Sequence, residues 1–339
     1  MAGGNLGTLH MGMLIEGTWV VDDLKYRNAP TGQFERADSS FRDSVTAEGS
    51  GKFPAVAGRY QLLTAVNCPW AHRTVIARRL KGLEGAIDLL VASDPQTDQG
   101  WPFNVGVGNG PQPRDGVLHL HEVYTAADPT YSGRVTVPTL WDREFRTIVN
   151  NESADILRML NTQFSSVANS SFDLRPHALR ERIDAVNEWV YRDINNGVYR
   201  CGFAQTQAAY EQACQALFDA LDRAEAVLDR SRFLAGPALT EADVRLFPTL
   251  VRFDAVYYGL FKCNMRRLQD YPNLSGYVRD LYARPGFGDT CDIDAFKRGY
   301  YAGIKRANPN GIIPLGPLGL DAAFEGPHDR DARTYQDGG

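Results

Sequence analysis

The chain has 339 residues, 43% of them hydrophobic, with 36 Lys and Arg against 41 Asp and Glu and a net charge of −5. That length favours two domains over one, and the acidic balance argues against a surface built to follow phosphates, so nucleic acid is not an expected partner. No stretch approaches the ~20 apolar residues of a membrane span, and residues 1–21 lack a basic start and a continuous apolar core, so a soluble, cytoplasmic protein is expected.

Residues 1–56 are rich in Gly, Ser, Asp and Arg without sustained periodicity, and read as an extended arm over the body. From Arg59 the character changes. Arg59–Val66 is strand-like, Pro69–Leu80 reads as a helix with Pro in its first turn, and Ala86–Ala92 is a second strand, which makes a βαβ unit. Ser93–Ser132 is Gly-, Pro- and Asp-rich and reads as a long inserted loop. Thr139–Trp141 and Thr147–Val149 predict a hairpin that leads into a helix from Glu152. The order βαβ then ββα is that of a thioredoxin-like domain, which we place at 57–162.

From Arg175 onward the pattern is helical only, with apolar stripes at Leu179, Ile183, Val186, Val190 and Ile194 and again at Leu217, Leu221, Ala224 and Leu228. An all-helical domain is expected over 172–307. Thr240-Glu-Ala-Asp243 is a capping-box variant that predicts the start of a buried helix. Further helices are expected over Asn273–Ala283 and Ile293–Arg306, followed by a Gly- and Pro-rich tail at 308–339 that wraps or frays. The fold class is thus α/β plus all-α.

The five cysteines (Cys68, Cys201, Cys214, Cys263 and Cys291) are odd in number and scattered, with no zinc-ligand spacing, so neither a disulfide framework nor a metal is expected. Cys68 differs from the others in its neighbours. In Asn67-Cys-Pro-Trp-Ala-His-Arg73 it leaves a strand and precedes a helix that opens on Pro69, where unpaired amides and the helix dipole favour a thiolate and lower its pKa. The alternative is a buried structural cysteine at a strand end. Three residues on, where a dithiol protein carries its second cysteine, stands Ala71. The thiol that resolves a mixed disulfide must then come from solution, and glutathione is the abundant candidate.

Val135-Thr-Val-Pro138 precedes the hairpin where thioredoxin-like folds carry a cis proline, although an ordinary trans proline accounts for the sequence equally well. Asn151-Glu-Ser153 opens the next helix, whose free amides and Ser153 hydroxyl suit a carboxylate while Glu152 suits an ammonium; a plain helix cap is the simpler alternative. Other signals have bland explanations. Gly106-Val-Gly-Asn-Gly110 lacks the strand and helix of a phosphate loop, and His119-Leu-His-Glu122 suits a short strand. Arg180-Glu-Arg182 and Arg266-Arg267 read as solvated helix faces, and His72 and Arg73 as helix-surface residues, with the Arg73 charge a modest help to a thiolate.

Taken together, Cys-Pro-Trp-Ala-His-Arg, Val-Pro, Glu-Ser and Thr-Glu-Ala-Asp resemble a glutathione transferase, and more narrowly the glutathionyl-hydroquinone reductases of the Xi class. Gly32-Gln-Phe-Glu-Arg36, Phe41-Arg-Asp43, Gly100-Trp-Pro-Phe103, Ile194–Arg200 and Phe261-Lys-Cys263 extend the likeness from about residue 25 to about 315. The resemblance implies that Cys68 attacks the sulfur of a glutathionyl-hydroquinone and that a second glutathione resolves the product. It implies a glutathione site of Trp101, Arg134, Val137, Pro138, Glu152 and Ser153, and tyrosines facing the aromatic substrate: Tyr199, one of Tyr257 and Tyr258, and one of Tyr300 and Tyr301. We expect Tyr258 and Tyr300 to be the inward members. The resemblance also implies a homodimer.

Three rivals share parts of this pattern. A conjugating transferase usually keeps a Ser or Tyr hydroxyl where this chain has Cys68. A non-catalytic binding module has no need for the thiol, the Glu-Ser pair and the tyrosines together. A general thioltransferase or dehydroascorbate reductase shares Cys68 but not the surroundings of Tyr199 and Tyr300, and is the nearest alternative.

Overall fold

A computed structural model describes residues 12–21, 31–47, 49, 51–103 and 117–332. Two short strands come first, β1 (Met13–Ile15) and β2 (Thr18–Val20), antiparallel to each other, with β1 also paired to Gly133–Arg134. This corrects the reading of 1–56 as an arm without core elements. Glu16 and Gly17 both take positive φ, 48° and 74°, the two-residue turn whose twist matches a hairpin. Three-residue strands show too little alternation to be read, and the partner of β1 lies far along the chain. Farther on, Phe34, Val45, Phe53 and Ala55 are buried in the main core.

β3 (Tyr60–Ala65) is buried throughout, as suits a central strand flanked on both sides. α1 (Pro69–Leu80) carries the chain to β4 (Ile87–Ala92), which runs parallel to β3. The stretch read as a long loop contains a helix, α2 (Leu120–Ala127), capped reciprocally by His119 and Glu122. Its capping box is His-x-x-Glu in place of Ser/Thr-x-x-Glu, which hides the signal. The Gly106–Gly110 motif lies outside the described residues. β5 (Gly133–Arg134), β6 (Thr139–Asp142) and β7 (Thr147–Asn150) follow, and the main sheet has the order β4-β3-β6-β7, with β6 antiparallel to both neighbours. α3 (Ser153–Thr162) packs beside α1.

The second half is helical. α4 (Arg180–Trp189) passes into a π-helical stretch, Val190–Asn195, then α5 (Gly197–Phe203) and the long α6 (Gln207–Arg230), whose N-cap Thr206 accepts the Ala209 amide at 3.2 Å. Ile183, Val186, Val190 and Ile194, and Leu217, Leu221, Ala224 and Leu228, are all buried, as their spacing predicts, while Leu179 at the head of the first stripe lies in a 3-10 turn and is only half-buried. α7 (Glu241–Leu250) is buried along its whole length and starts at the expected box: Asp243 accepts the Thr240 amide at 2.8 Å. It continues through a π-helical turn, Phe253–Tyr257, into α8 (Tyr258–Leu260), followed by α9 (Pro272–Tyr282).

The helix expected over Ile293–Arg306 is α-helical only as α10 (Ile293–Lys297) and π-helical over Arg298–Ala302. The tail wraps rather than frays over its described length, burying Leu320 and Phe324 of α11 (Leu320–Phe324) and Arg330. Among the described residues no helix is long and apolar enough to cross a membrane.

Candidate active site

Cys68 occupies the N-cap of α1, with extended backbone (φ −79°, ψ 115°) and Pro69 directly after it. Proline fits this first turn because its missing N–H would have no helical partner there. The thiol lies 3.6 Å from the Val137 carbonyl, and the Val137–Pro138 bond is cis, which resolves the choice left open by the sequence. Both line a cleft between the two halves of the molecule, and Trp101, Arg134, Glu152, Ser153, Tyr199 and Tyr300 line it as well.

The electrostatics of Cys68 differ from the expectation. Burial pushes the thiol up, while the Ala71 and Trp70 amides and the Arg252 and Arg36 charges pull it down without overcoming burial. The helix N-terminus acts as supposed, yet the sequence showed the amides and not the protein packed around the sulfur, which disfavours any charge.

His72 and Arg73 are not surface residues: they are 4% and 1% exposed. Arg252 donates through Nη1 to His72 Nδ1 at 3.0 Å, so His72 carries its proton on Nε2 and donates to Thr290 Oγ1 at 2.8 Å. Burial and Arg252 hold the imidazole well below its ordinary range, leaving it neutral. Arg252 also donates to the carbonyls of Val66 at 2.8 Å and Asn67 at 3.0 Å, gripping the turn that delivers Cys68 from the helical side. Arg73 donates to Asn195 Oδ1 at 2.6 Å and to Ser153 Oγ at 3.4 Å, and burial and Arg245 lower it to about 9, which keeps it cationic at neutral pH.

Glu152, rather than Ser153, is the N-cap of α3, and Oε1 accepts the Ala154 amide at 3.1 Å. Its Oε2 accepts the Ser39 hydroxyl at 3.0 Å, so one carboxylate ties an N-terminal segment to the sheet half. Ser153 is 3% exposed and borders the cleft.

Across the cleft, Tyr300 Oη lies 2.6 Å from Tyr199 Oη and 3.0 Å from Tyr257 Oη. Burial raises all three phenols, so they stay protonated and can donate. Tyr300 is the inward member of its pair, as expected. In the other pair Tyr257 is fully buried behind Tyr199 and Tyr300 and Tyr258 is half-buried outside the cluster, and neither lines the cleft, so the expectation that Tyr258 faces the substrate is not met. The π-helical turn just before them shifts the helix phase, which spacing in the sequence does not reveal. Sequence reasoning also left Arg252, Phe34 and Tyr191 unassigned; the last two line the cleft.

His119, His121 and Glu122 bring ligand-type atoms within 4.8 Å of one another, at a helix start and not on a strand. Glu122 is engaged in capping, accepting the Leu118 amide at 2.7 Å, and His121 stacks on Trp19 at 4.7 Å.

Residues 67–163 match the family model "Glutathione S-transferase, N-terminal domain" and 207–280 match "Glutathione S-transferase, C-terminal domain". The chain is 44% identical over 334 residues to glutathionyl-hydroquinone reductase YqjG of Escherichia coli K12, covering 95% of this chain and 99% of that protein. It is 46% identical over 308 residues to glutathionyl-hydroquinone reductase PcpF of Sphingobium chlorophenolicum, covering 91% and 96%. It superposes on the glutathione-bound structure of YqjG with a TM-score of 0.84 at 43% identity, covering 95% of this chain and 100% of that one. With a thioredoxin-like half, a helical half and this likeness along nearly its full length, the chain belongs to the glutathione transferase family, in the group of the Xi-class glutathionyl-hydroquinone reductases.

Proposed function

We propose that this chain reduces glutathionyl-hydroquinones to hydroquinones at the expense of glutathione. The observation that carries the reading is the pairing, in one cleft, of Cys68 at the start of α1 with the bonded hydroxyls of Tyr199 and Tyr300. The Cys68 thiolate attacks the glutathionyl sulfur. An S–S bond forms, the C–S bond breaks, and its electron pair passes into the ring, whose sulfur-bearing carbon has taken up a proton in the keto tautomer. Sulfur is oxidised and the ring carbon reduced. The thiolate of a second glutathione then attacks the mixed disulfide, releasing glutathione disulfide and restoring the Cys68 thiolate.

Glutathione is the co-substrate and no metal is needed. Val137 offers its backbone, Trp101 packs on the tripeptide, Arg134 takes the glycyl carboxylate, and Ser153 with the free amides of α3 takes the γ-glutamyl carboxylate while Glu152 faces its ammonium. Arg73, buried behind Ser153, supplies positive charge to the same end. Tyr199 and Tyr300 hold the hydroquinone, because phenols can both donate to and accept from its hydroxyls within an apolar wall. Residues 57–162 serve glutathione and 172–307 the aromatic group, in a cytoplasmic homodimer. YqjG and PcpF carry the name of this activity, which supports the reading.

The test is incubation with a glutathionyl-hydroquinone and glutathione, following loss of the thioether and formation of glutathione disulfide. Turnover of small glutathione mixed disulfides without any attack on the thioether would establish a general thioltransferase instead.

A further inference from the structure

Residues 31–41 cross the cleft as a strap joining the two halves. On the helical side the Gln205 amide donates to the Gly32 carbonyl at 3.0 Å, and Phe34 packs on Phe203 with ring centroids 5.3 Å apart. On the sheet side Ser39 bonds Glu152, and the Phe41 amide donates to Asn151 Oδ1 at 3.1 Å. Between these anchors stands Arg36. Its Nε donates to Asn196 Oδ1 at 2.7 Å, and its guanidinium carbon lies 4.6 Å from the Trp70 ring centroid and 4.8 Å from that of Tyr199.

No carboxylate lies within ion-pair distance of Arg36 among the described residues, and its Nη2 is enclosed without a hydrogen-bond partner. A cation so placed keeps its field directed at the rings it covers. The Arg73 guanidinium also lies 4.4 Å from the Trp70 ring centroid, whereas Arg36 is the cation over Tyr199 among the described residues.

We propose that Arg36 is a positioning residue for this reaction, acting through Tyr199 on the oxygen of the departing hydroquinone, so that the strap completes an active site the two domains leave unfinished. The inference rests on the proposed reductase reading. In the keto tautomer the sulfur-bearing carbon already carries its proton, so when Cys68 takes the sulfur the C–S electron pair flows through the ring to the carbonyl oxygen, which becomes the negatively charged hydroquinone oxygen before it is protonated. A fixed cation against the Tyr199 ring makes its O–H a stronger donor toward that oxygen, without reorganisation during the reaction. Arg36 borders the cleft with its guanidinium against the Trp70, Tyr199 and Phe34 rings, and its charge reaches the substrate oxygen through Tyr199. The same charge lowers the Tyr199 phenol against the rise from burial.

The experiment compares wild type, Arg36→Gln and Arg36→Lys on a glutathionyl-hydroquinone and on the mixed disulfide of glutathione with mercaptoethanol, and follows the phenolate absorbance of bound para-nitrophenol. Arg36→Gln also removes a charge that favours the Cys68 thiolate, so the two substrates are compared as a ratio: kcat on the thioether should fall about tenfold further than mixed-disulfide turnover, KM for glutathione should be unchanged and the phenolate band should weaken. Arg36→Lys, which keeps the charge but not the flat stack, should recover part of both losses. Equal losses on the two substrates, or none on either, overturn the proposal. If wild type itself leaves the thioether intact, the reductase reading has failed; an unchanged phenolate band in Arg36→Gln then also overturns the role of Arg36, and a weakened band upholds its effect on the phenol-binding wall.

Discussion

The two walls of the cleft are built in opposite ways. The wall that carries Cys68 is local: strand, cysteine, proline and helix follow one another within β3 and α1, and each residue type fits its place by the rules of helix starts. The facing wall is collected from far apart, Tyr199 from α5, Tyr300 from a π-helical turn after α10 and Arg36 from the strap, with Tyr257, from a π-helical turn after α7, bonded to Tyr300 behind it. A nucleophile needs one precisely exposed atom, which a single helix end supplies. Gripping an aromatic ring needs several polar tips around an apolar space, which no single element can present. The local wall therefore carries the bond-making step and the assembled wall the choice of substrate.

The sharpest way to break this division is Cys68→Ser. An alcohol cannot form the mixed disulfide, so turnover on every substrate should be lost while fold and glutathione binding survive. Intact-protein mass spectrometry of the wild type after substrate should show one glutathione, on Cys68. Cys201, Cys214 and Cys263 are buried, and burial raises Cys291 to about 12, so glutathione found only on one of these four would refute the assignment.

On the assembled wall, Tyr300→Phe removes the hydroxyl that joins Tyr199 and Tyr257. A hydrogen bond of about 1 to 3 kcal/mol made in the transition state corresponds to about tenfold or more in turnover on the thioether. Tyr199→Phe should act in the same direction, non-additively with Tyr300→Phe because the two hydroxyls touch. Mixed-disulfide turnover should be nearly unchanged in both; equal losses on the two substrates would mean that the tyrosines support the fold or the glutathione site.

A third measurement sharpens the account of the local wall. Since burial outweighs the amides and the arginines, Cys68 without glutathione should alkylate with iodoacetamide along a pH curve whose midpoint lies above that of a free thiol. The thiolate fraction, and with it the rate, falls as pH drops through that midpoint. A midpoint below the free-thiol value would show that the helix end dominates after all. The smallest effect belongs to Tyr258→Phe, which lies outside the tyrosine cluster and should stay within about twofold of wild type on both substrates. A tenfold loss there would return Tyr258 to the substrate wall.

Much of this is legible in the amino-acid order alone. Pro69 fixes the first turn of α1, and the observed helix has the expected limits, Pro69–Leu80. The Thr240–Asp243 box opens α7 because its reciprocal bonds involve residues only three apart. Polar residues on a helix usually face water, which assigns His72 and Arg73 to the surface, but α1 is enclosed by the sheet and the helical half. Its polar groups find partners there: Thr290 and Arg252 for His72, Asn195 and Ser153 for Arg73. The choice between Tyr257 and Tyr258 failed for another reason, since a π-helical turn changes the angle between successive side chains.

The sequence by itself determined the βαβ then ββα order of the main sheet, the nucleophile at a strand-to-helix junction and the lack of a second cysteine at Ala71, because each depends on neighbours within a few residues and on the intrinsic geometry of proline, helix ends and strands. Tertiary structure alone decided how much burial opposes the Cys68 thiolate, which tyrosines meet, and that Arg36 comes to rest against Tyr199. Those are properties of surroundings assembled from residues more than a hundred positions apart, and both the desolvation of a charge and the meeting of side-chain tips depend on what the completed fold packs around them.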